Sequence, residues 1–155
     1  MSSKEFLNLF RNYPDNVVVQ LTNKLIDIPC SRIEDKIEKT QIYRKEKPEK
    51  ANKVAYALHG KTIADLKEVR NVIGEEHIRY QILRDKLVEE ILQCSIEFFN
   101  IFREEDSDYD PGEEALKIAT IAQSFGVTGR LENRLEENLS IIQDWVDRAP
   151  NKRII

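Results

Sequence analysis

The sequence predicts an all-α protein: a single domain of six to seven helices packed around a long central helix at about residues 78–102. The first observation is that the run from Ile78 to Phe102 contains neither glycine nor proline. The second is that its apolar residues recur every three and four positions, which places them on one face of a helix. The third is that the prolines and glycines fall between such runs, where helices begin or end.

The apolar stripe of this central helix widens toward its C-terminal end. Beyond Leu87 a second set of apolar residues lies beside the first, so that more than half of the circumference becomes apolar. A helix of that kind has to be covered from several sides. The other segments are therefore expected to pack around its C-terminal half. The two sets are Tyr80, Leu83, Leu87, Ile91, Cys94, Phe98 and Ile101, and Val88, Leu92, Ile96 and Phe99.

The first 47 residues are expected to form three helices separated by prolines. Pro14 follows a helix that ends at Arg11, and Pro29 closes the next one, because proline lacks an N–H and clashes with the preceding turn. Ser31, with Glu34 three residues later, forms the S-x-x-E capping box that typically opens a helix. The expected helices are Ser3–Arg11, Asp15–Ile26 and a third that begins at Ser31.

Two more helices are expected between Pro48 and Gly74. Pro48 suits the first turn of a helix that runs to His59, with Gly60 just beyond its end. Thr62 is placed to cap the second of these helices. Gly74 is either a break before the central helix or a tolerated defect within one helix from Ile63 to Phe102, and a break or kink is favoured.

The C-terminal third of the chain is expected to hold a loop, two helices and a loose tail. The acidic stretch Glu104–Glu114 contains Pro111 and Gly112, which predict a loop. The elements expected after it are a helix over Glu113–Phe125, a turn over Gly126–Gly129, a helix over Arg130–Arg148 and a tail over residues 150–155. Residues 1–149 therefore form the predicted domain.

Composition restricts the class of protein. A chain of 155 residues with a net charge of −4 can bury a core without a disulfide or a metal. No signal-peptide pattern and no long apolar run occur, so no membrane association is expected. Cys30 and Cys94 show no ligand spacing and are expected to be reduced thiols of a cytoplasmic protein. We expect no cofactor and no metal site.

The charge is distributed unevenly along the chain. Residues 32–70 carry a net positive charge, whereas residues 71–155 carry a net negative charge. Such a distribution favours either an internal match of basic and acidic faces or a head-to-tail contact between chains. The expected partner is another protein or a second copy of the chain. On the acidic side, the expected contact residues are Asp106, Asp108 and Asp110.

The basic stretch is the best candidate for an anion-binding surface. It could hold a nucleic-acid backbone, with Tyr43 and Tyr56 available for base stacking. Interleaved glutamates weaken this surface, so the alternative is a solvated helix face. The candidate residues are Arg44, Lys45, Lys47, Lys50 and Lys53.

One arrangement could support catalysis: Arg70-Asn71 followed by His77 and Tyr80. It resembles the R-x4–6-H signature of the HEPN ribonucleases, in which the residue after the arginine is usually a small polar one. That resemblance implies an all-helical, metal-independent ribonuclease with Arg70, Asn71 and His77 in a site shared across a dimer. A histidine can move the 2′-hydroxyl proton, and an arginine can stabilise the transition state. Alternatively, Arg70 pairs with a surface glutamate and His77 lies in a first helical turn.

Two other motifs resemble functional sites but depart from them in residues that the function requires. The acidic loop resembles the start of a calcium-binding loop, but proline stands where glycine is required and Lys117 stands where a bidentate glutamate is required. Residues 118–139 resemble a helix-turn-helix, but the second helix carries three glutamates against two arginines, which would repel DNA. A solvated loop and a helical hairpin are the expected structures.

The expected function is that of a non-catalytic helical interaction module, either an adaptor or a small subunit of a larger assembly. The HEPN-like ribonuclease is the enzymatic alternative. A helical subunit of a ribonucleoprotein, using the basic stretch on phosphates, is the third.

Overall fold

Within the described residues, six α-helices and one 3-10 turn form the fold, which is taken from a computed structural model. The structure describes residues 1–104 and 108–153, with side chains up to residue 148, and no strand occurs in these ranges. The all-α prediction is confirmed. The helices are α1 (Ser3–Asn8), α2 (Asp15–Glu46), α3 (Ala51–Ile73), α4 (Ile78–Glu104), α5 (Gly112–Gln123) and α6 (Arg130–Arg153), with the 3-10 turn at Pro48–Lys50.

Helix α4 is the centre of the fold. It packs against α2, α3, α5 and α6, and Leu87, Ile91 and Leu92 have no exposed surface. Its buried residues extend from Tyr80 to Phe99. The surrounding helices therefore cover most of its length, rather than only the C-terminal half that the widening stripe predicted.

The predicted break at Pro29 is wrong, because α2 continues through this residue. Pro29 is buried on the same face as Ile26, Cys30 and Ile33, which are at most 4% exposed. A proline inside a helix costs about 3 kcal/mol. Burial of several apolar side chains on one face outweighs that cost, since each contributes roughly 1.5–3 kcal/mol. The Ser31–Glu34 pair therefore lies within a helix and caps nothing.

The predicted boundary at Gly60 is also wrong, because α3 runs unbroken across it. Thr62 does not cap a helix: its side chain is fully buried, and its hydroxyl donates to the Leu58 carbonyl at 2.6 Å. Buried residues on both sides of Gly60 hold the helix together. A glycine there costs only about 1 kcal/mol relative to alanine.

The predicted break at Gly74 is confirmed. Gly74 ends α3 with φ +86° and ψ 155°, a conformation that favours glycine. After a short connection, the Nδ1 atom of His77 accepts a hydrogen bond from the N–H of Arg79 at 3.0 Å. This bond satisfies one of the free N–H groups at the start of α4. The turn thus places Arg70 and His77 on either side of a sharp change in chain direction.

The hairpin of α5 and α6 packs closely at its open end. A Cβ atom on Gly112 would lie 2.8 Å from Trp145 Cδ1 and 2.9 Å from Val146 Cγ2, so a larger residue there would force these side chains to shift. Helix α6 was expected to end at Ala149-Pro150, but it continues to Arg153. Proline keeps a helical φ, so it does not by itself force a helix to end. The predicted tail is thus helical up to Arg153, and residues 154 and 155 lie outside the described residues.

Candidate functional site

A polar cleft of about 570 Å³ lies between α2, α4 and α6. We call it the central cleft. Its floor is formed by Arg44, Glu90 and Glu97, and its rim carries Lys45, Lys86 and Arg134, among other residues. Of the charged groups that line it, four are cationic and three are carboxylates.

Arg44 forms the floor of this cleft and is only 5% exposed. Its Nε and Nη2 atoms donate to the two carboxylate oxygens of Glu90 at 2.6 and 3.1 Å, and Nη1 donates to Glu97. Burial lowers the pKa of Arg44, but the hydrogen bonds and charges of the two glutamates outweigh burial and leave that pKa raised. The guanidinium is therefore a charged, fully engaged group that fixes α2 against α4.

The position of Arg44 corrects one prediction from the sequence. Arg44 was expected to face an external anion, but both of its acceptors are internal carboxylates. The reason is its place on the buried face of α2, where Ile33, Ile37 and Thr40 precede it at helical spacing. Lys45, one residue later, points away from this face and is exposed.

The charged groups that an external partner can reach lie at the rim of the central cleft. Arg134 donates to Gln93 at 2.7 Å and to Glu89 at 3.2 Å, so these two cleft residues are partly occupied. Lys45 and Lys86 are exposed, and neither makes a hydrogen bond or an ion pair within the described part of the chain. The two lysines are thus the charged groups most open to an external partner.

The remaining residues of the basic stretch are exposed but do not line the central cleft. Lys47 follows α2, and its ammonium lies 5.9 Å from the centroid of the Tyr43 ring. Lys50 lies in the 3-10 turn and Lys53 in α3. Burial and the nearby Glu114 raise the pKa of Tyr56 to about 12. The structure therefore separates the five candidate cations into one buried group, one rim group and three surface groups.

The three residues of the HEPN-like arrangement do not line a common cleft. Arg70 and Asn71 line a cleft of about 420 Å³ with Glu68 and Glu75. The Arg70 guanidinium lies 3.6 Å from Glu75, and both side chains are exposed. His77 is not among the residues that line this cleft, and its Nδ1 atom is occupied by the Arg79 N–H. Within one chain, only its Nε2 atom remains open for proton transfer.

On its other side, Arg70 lines a smaller cleft of about 170 Å³, which we call the α3 cleft. His59 and Lys67 reach this cleft from α3, Tyr80 from α4, and Ser124 and Phe125 from the end of α5. This grouping of residues was not among the sites predicted from the sequence. The signal was the spacing of residues 59, 63, 66, 67 and 70, which lie on one face of a continuous α3. The false boundary at Gly60 hid it, because it assigned His59 to a different helix.

One residue of the acidic loop, Asp110, has a structural role. Asp110 Oδ1 accepts hydrogen bonds from the Gly112 N–H and from Trp145 Nε1, both at 2.9 Å. Asp110 therefore joins the start of α5 to α6. Asp108 is exposed, so it can still meet a partner. Asp106 lies outside the described residues.

Several further observations concern the chain as a whole. Both cysteines are free and buried, and burial raises the pKa of Cys30 and of Cys94. No described helix has the length and apolar character needed to cross a membrane. Residues 1–104 and 108–153 contain no group of three acidic, histidine or cysteine side chains placed to hold a metal ion. No protein-family model, curated protein or solved structure matches this chain.

Proposed function

We propose that this protein is a non-catalytic helical interaction module whose central cleft binds an acidic segment of a partner protein. The observation that carries the proposal is the pairing of charges in that cleft. Its three carboxylates each lie beside an arginine. Lys45 and Lys86 have no such partner in the described chain, so the binding energy available to a partner comes from unpaired positive charge.

The walls of the cleft favour a peptide over a nucleic acid. Glu89 and Glu97 would repel a continuous phosphate backbone, whereas separate carboxylates of a peptide can approach the two lysines individually. The amide side chains of Gln41 and Gln93 also line the cleft and can hydrogen-bond a peptide backbone. The buried Arg44 floor is already held in place, which limits the entropy that binding would cost.

Site-specific photo-cross-linking tests this proposal. A photoreactive amino acid replaces Gln41 in the cleft or, as a matched control, Gln20, which is also an exposed glutamine of α2. Cross-linking from position 41 alone, to an acidic segment, supports the proposal. Cross-linking from position 41 should disappear in the Lys45→Glu/Lys86→Glu variant. It should persist in the Lys24→Glu/Lys61→Glu variant, which has the same net charge. Equal cross-linking from both positions, or insensitivity to charge reversal in the cleft, would contradict it.

The mapped product also identifies the kind of partner. A cross-link to a different protein supports an adaptor or a subunit role. A cross-link to the region of Asp108 in a second copy supports self-association between basic and acidic surfaces. We propose the cytoplasm as the location, and the two buried free thiols support it.

A HEPN-like ribonuclease is the second candidate function. It is favoured by the presence of Arg70 and Asn71 in one cleft beside the α3–α4 turn. Two copies would have to meet at this turn for each to supply a histidine to the other. Cleavage of RNA in the presence of EDTA is the activity that this candidate requires.

A further inference from the structure

We propose that the α3 cleft binds the phosphate group of a small phosphomonoester. This site is separate from the central cleft, since the two share no lining residue. It therefore adds a small-molecule ligand to the proposed protein partner. The groups available for binding are the side chains of His59, Lys67, Arg70 and Tyr80.

The charge of the α3 cleft favours an anion. Lys67 and Arg70 contribute two positive charges, and none of the described residues that line the cleft carries a carboxylate. In this respect it differs from the central cleft, from the Arg70–Asn71 cleft and from a fourth cleft beside Trp145, each of which includes acidic side chains. Two cations in a cleft whose lining carries no carboxylate form a charge-assisted site for a dianion once Arg70 leaves its pair with Glu75.

Arg70 can turn toward such a ligand at little cost. Its ion pair with Glu75 spans 3.6 Å, and the two side chains are 55% and 65% exposed. Exposed pairs of this kind contribute little to stability. A phosphate in the cleft would offer two oxygens to the planar guanidinium, which is the geometry that arginine binds best.

Tyr80 adds a hydroxyl to the polar groups around the cleft. The residue is only 7% exposed, yet its hydroxyl makes no hydrogen bond within the described chain. No fully buried side-chain oxygen or nitrogen of the described residues lacks a partner, so this hydroxyl has solvent-accessible surface, and Tyr80 is among the residues that line the cleft. A solvent-accessible hydroxyl with no partner among the described residues can donate to a ligand in the cleft.

The size of the cleft limits the ligand to one phosphate group. Its volume of about 170 Å³ is below the range of roughly 300–1,000 Å³ that is usual for pockets that enclose a drug-sized molecule. The Ser124 hydroxyl already donates to the Ile121 carbonyl at 2.5 Å. Lys67, Arg70 and Tyr80 are therefore the principal donors, and the rest of a phosphomonoester would extend out of the cleft.

A titration followed by ¹H–¹⁵N NMR tests the site. Inorganic phosphate is added at constant ionic strength, with chloride as the balancing salt. We expect saturable shifts of amides near residues 59–70 and 124–125. Lys67→Gln or Arg70→Gln should weaken binding about tenfold or more, because each removes a charge-assisted hydrogen bond. Tyr80→Phe, which keeps the ring and removes only the hydroxyl, should weaken binding about two- to tenfold.

The matched control is Lys61→Gln, which removes one exposed lysine from the same helix outside the cleft. It should leave binding unchanged. Equal shifts with chloride alone, equal weakening by Lys61→Gln, or unchanged binding in Tyr80→Phe would overturn the proposal. A nucleoside 5′-monophosphate serves as a second ligand: tighter binding than phosphate identifies a nucleotide, and equal binding identifies phosphate itself as the recognised group.

Discussion

Arg44 and Arg70 differ in their burial and in the partners of their guanidinium groups. Both lie near the end of a helix and both were candidates for an external anion. Arg44 is 5% exposed and bound by two glutamates, whereas Arg70 is exposed and has one ion pair, at 3.6 Å, among the described residues. The region around Arg44 therefore has a structural arginine, and the region around Arg70 has an arginine that can bind something else.

The comparison shows that the partners of a charge, rather than its type, decide its role. A buried arginine whose donors are satisfied by internal carboxylates has no donor left for a ligand, and its removal would leave a buried charge unpaired. An exposed arginine in a weak pair loses little when it changes partner.

Replacement of Arg44 by alanine should lower the free energy of unfolding by about 3–5 kcal/mol, because it leaves the Glu90 carboxylate buried without its cation. Urea denaturation followed by circular dichroism measures this. Adding Glu90→Gln to the variant should recover part of the loss, since it removes the unpaired charge. A loss below about 1 kcal/mol would mean that the pair is solvated and that the contrast with Arg70 does not hold.

The turn beside Arg70 depends on Gly74, and Gly74→Ala should cost about 1–2 kcal/mol because of its positive φ. Gly60→Ala is the matched control. Gly60 lies within α3, and an added Cβ would meet nothing within 4 Å. That variant should be stabilised by about 0.5–1 kcal/mol, as thermal unfolding would show. A Gly74→Ala protein as stable as Gly60→Ala would contradict the break described here.

Removal of the His77 side chain separates its structural role from a catalytic one. His77→Ala should cost about 1 kcal/mol through loss of the bond to the Arg79 N–H, whereas His77→Asn should restore most of that stability, because asparagine is a good N-cap. If the wild-type protein cleaves RNA in EDTA, loss of cleavage in the stable His77→Asn variant would support the ribonuclease. Cleavage that persists in this variant, or no cleavage by the wild type, would exclude His77 as a catalytic residue.

Replacement of Arg70 by alanine should change the free energy of unfolding by less than about 0.5 kcal/mol, since its ion pair is exposed. The same chemical-denaturation measurement as for Arg44→Ala makes the two arginines directly comparable. A loss near that of Arg44→Ala would show that Arg70 is structural, and the distinction between the two regions would fail.

The helical fold could be predicted from the sequence because its apolar spacing is regular over long segments. The central helix and the break at Gly74 followed from this spacing and from turn chemistry. Pro29 and Gly60 misled the prediction because they lie within helices, and tertiary burial on both sides outweighs their local cost. The helix-breaking rules for proline and glycine describe the local free energy of one residue. At Pro29 and Gly60, the packing of neighbouring residues outweighs that local cost.

The candidate sites were less predictable, because they depend on which helices meet. The burial of Arg44 had a signal in the sequence, since it continues the face that contains Ile33, Ile37 and Thr40. Its acceptor Glu90 lies 46 residues away, and no local pattern identifies such a partner. The α3 cleft required the correct course of α3 and the position of Tyr80 on α4. Both features depend on the tertiary structure.

The Arg44–Glu90 pair also sets the alignment of α2 along α4. A 32-residue helix packed through apolar side chains could slide by one turn, about 5.4 Å, and still bury much the same hydrophobic area. Such a slide would carry the guanidinium away from Glu90 and leave two opposite charges buried apart. Chains in which α2 is misaligned on α4 would therefore be less stable by several kcal/mol. The Arg44–Glu90 pair would thus disfavour misaligned packing during folding.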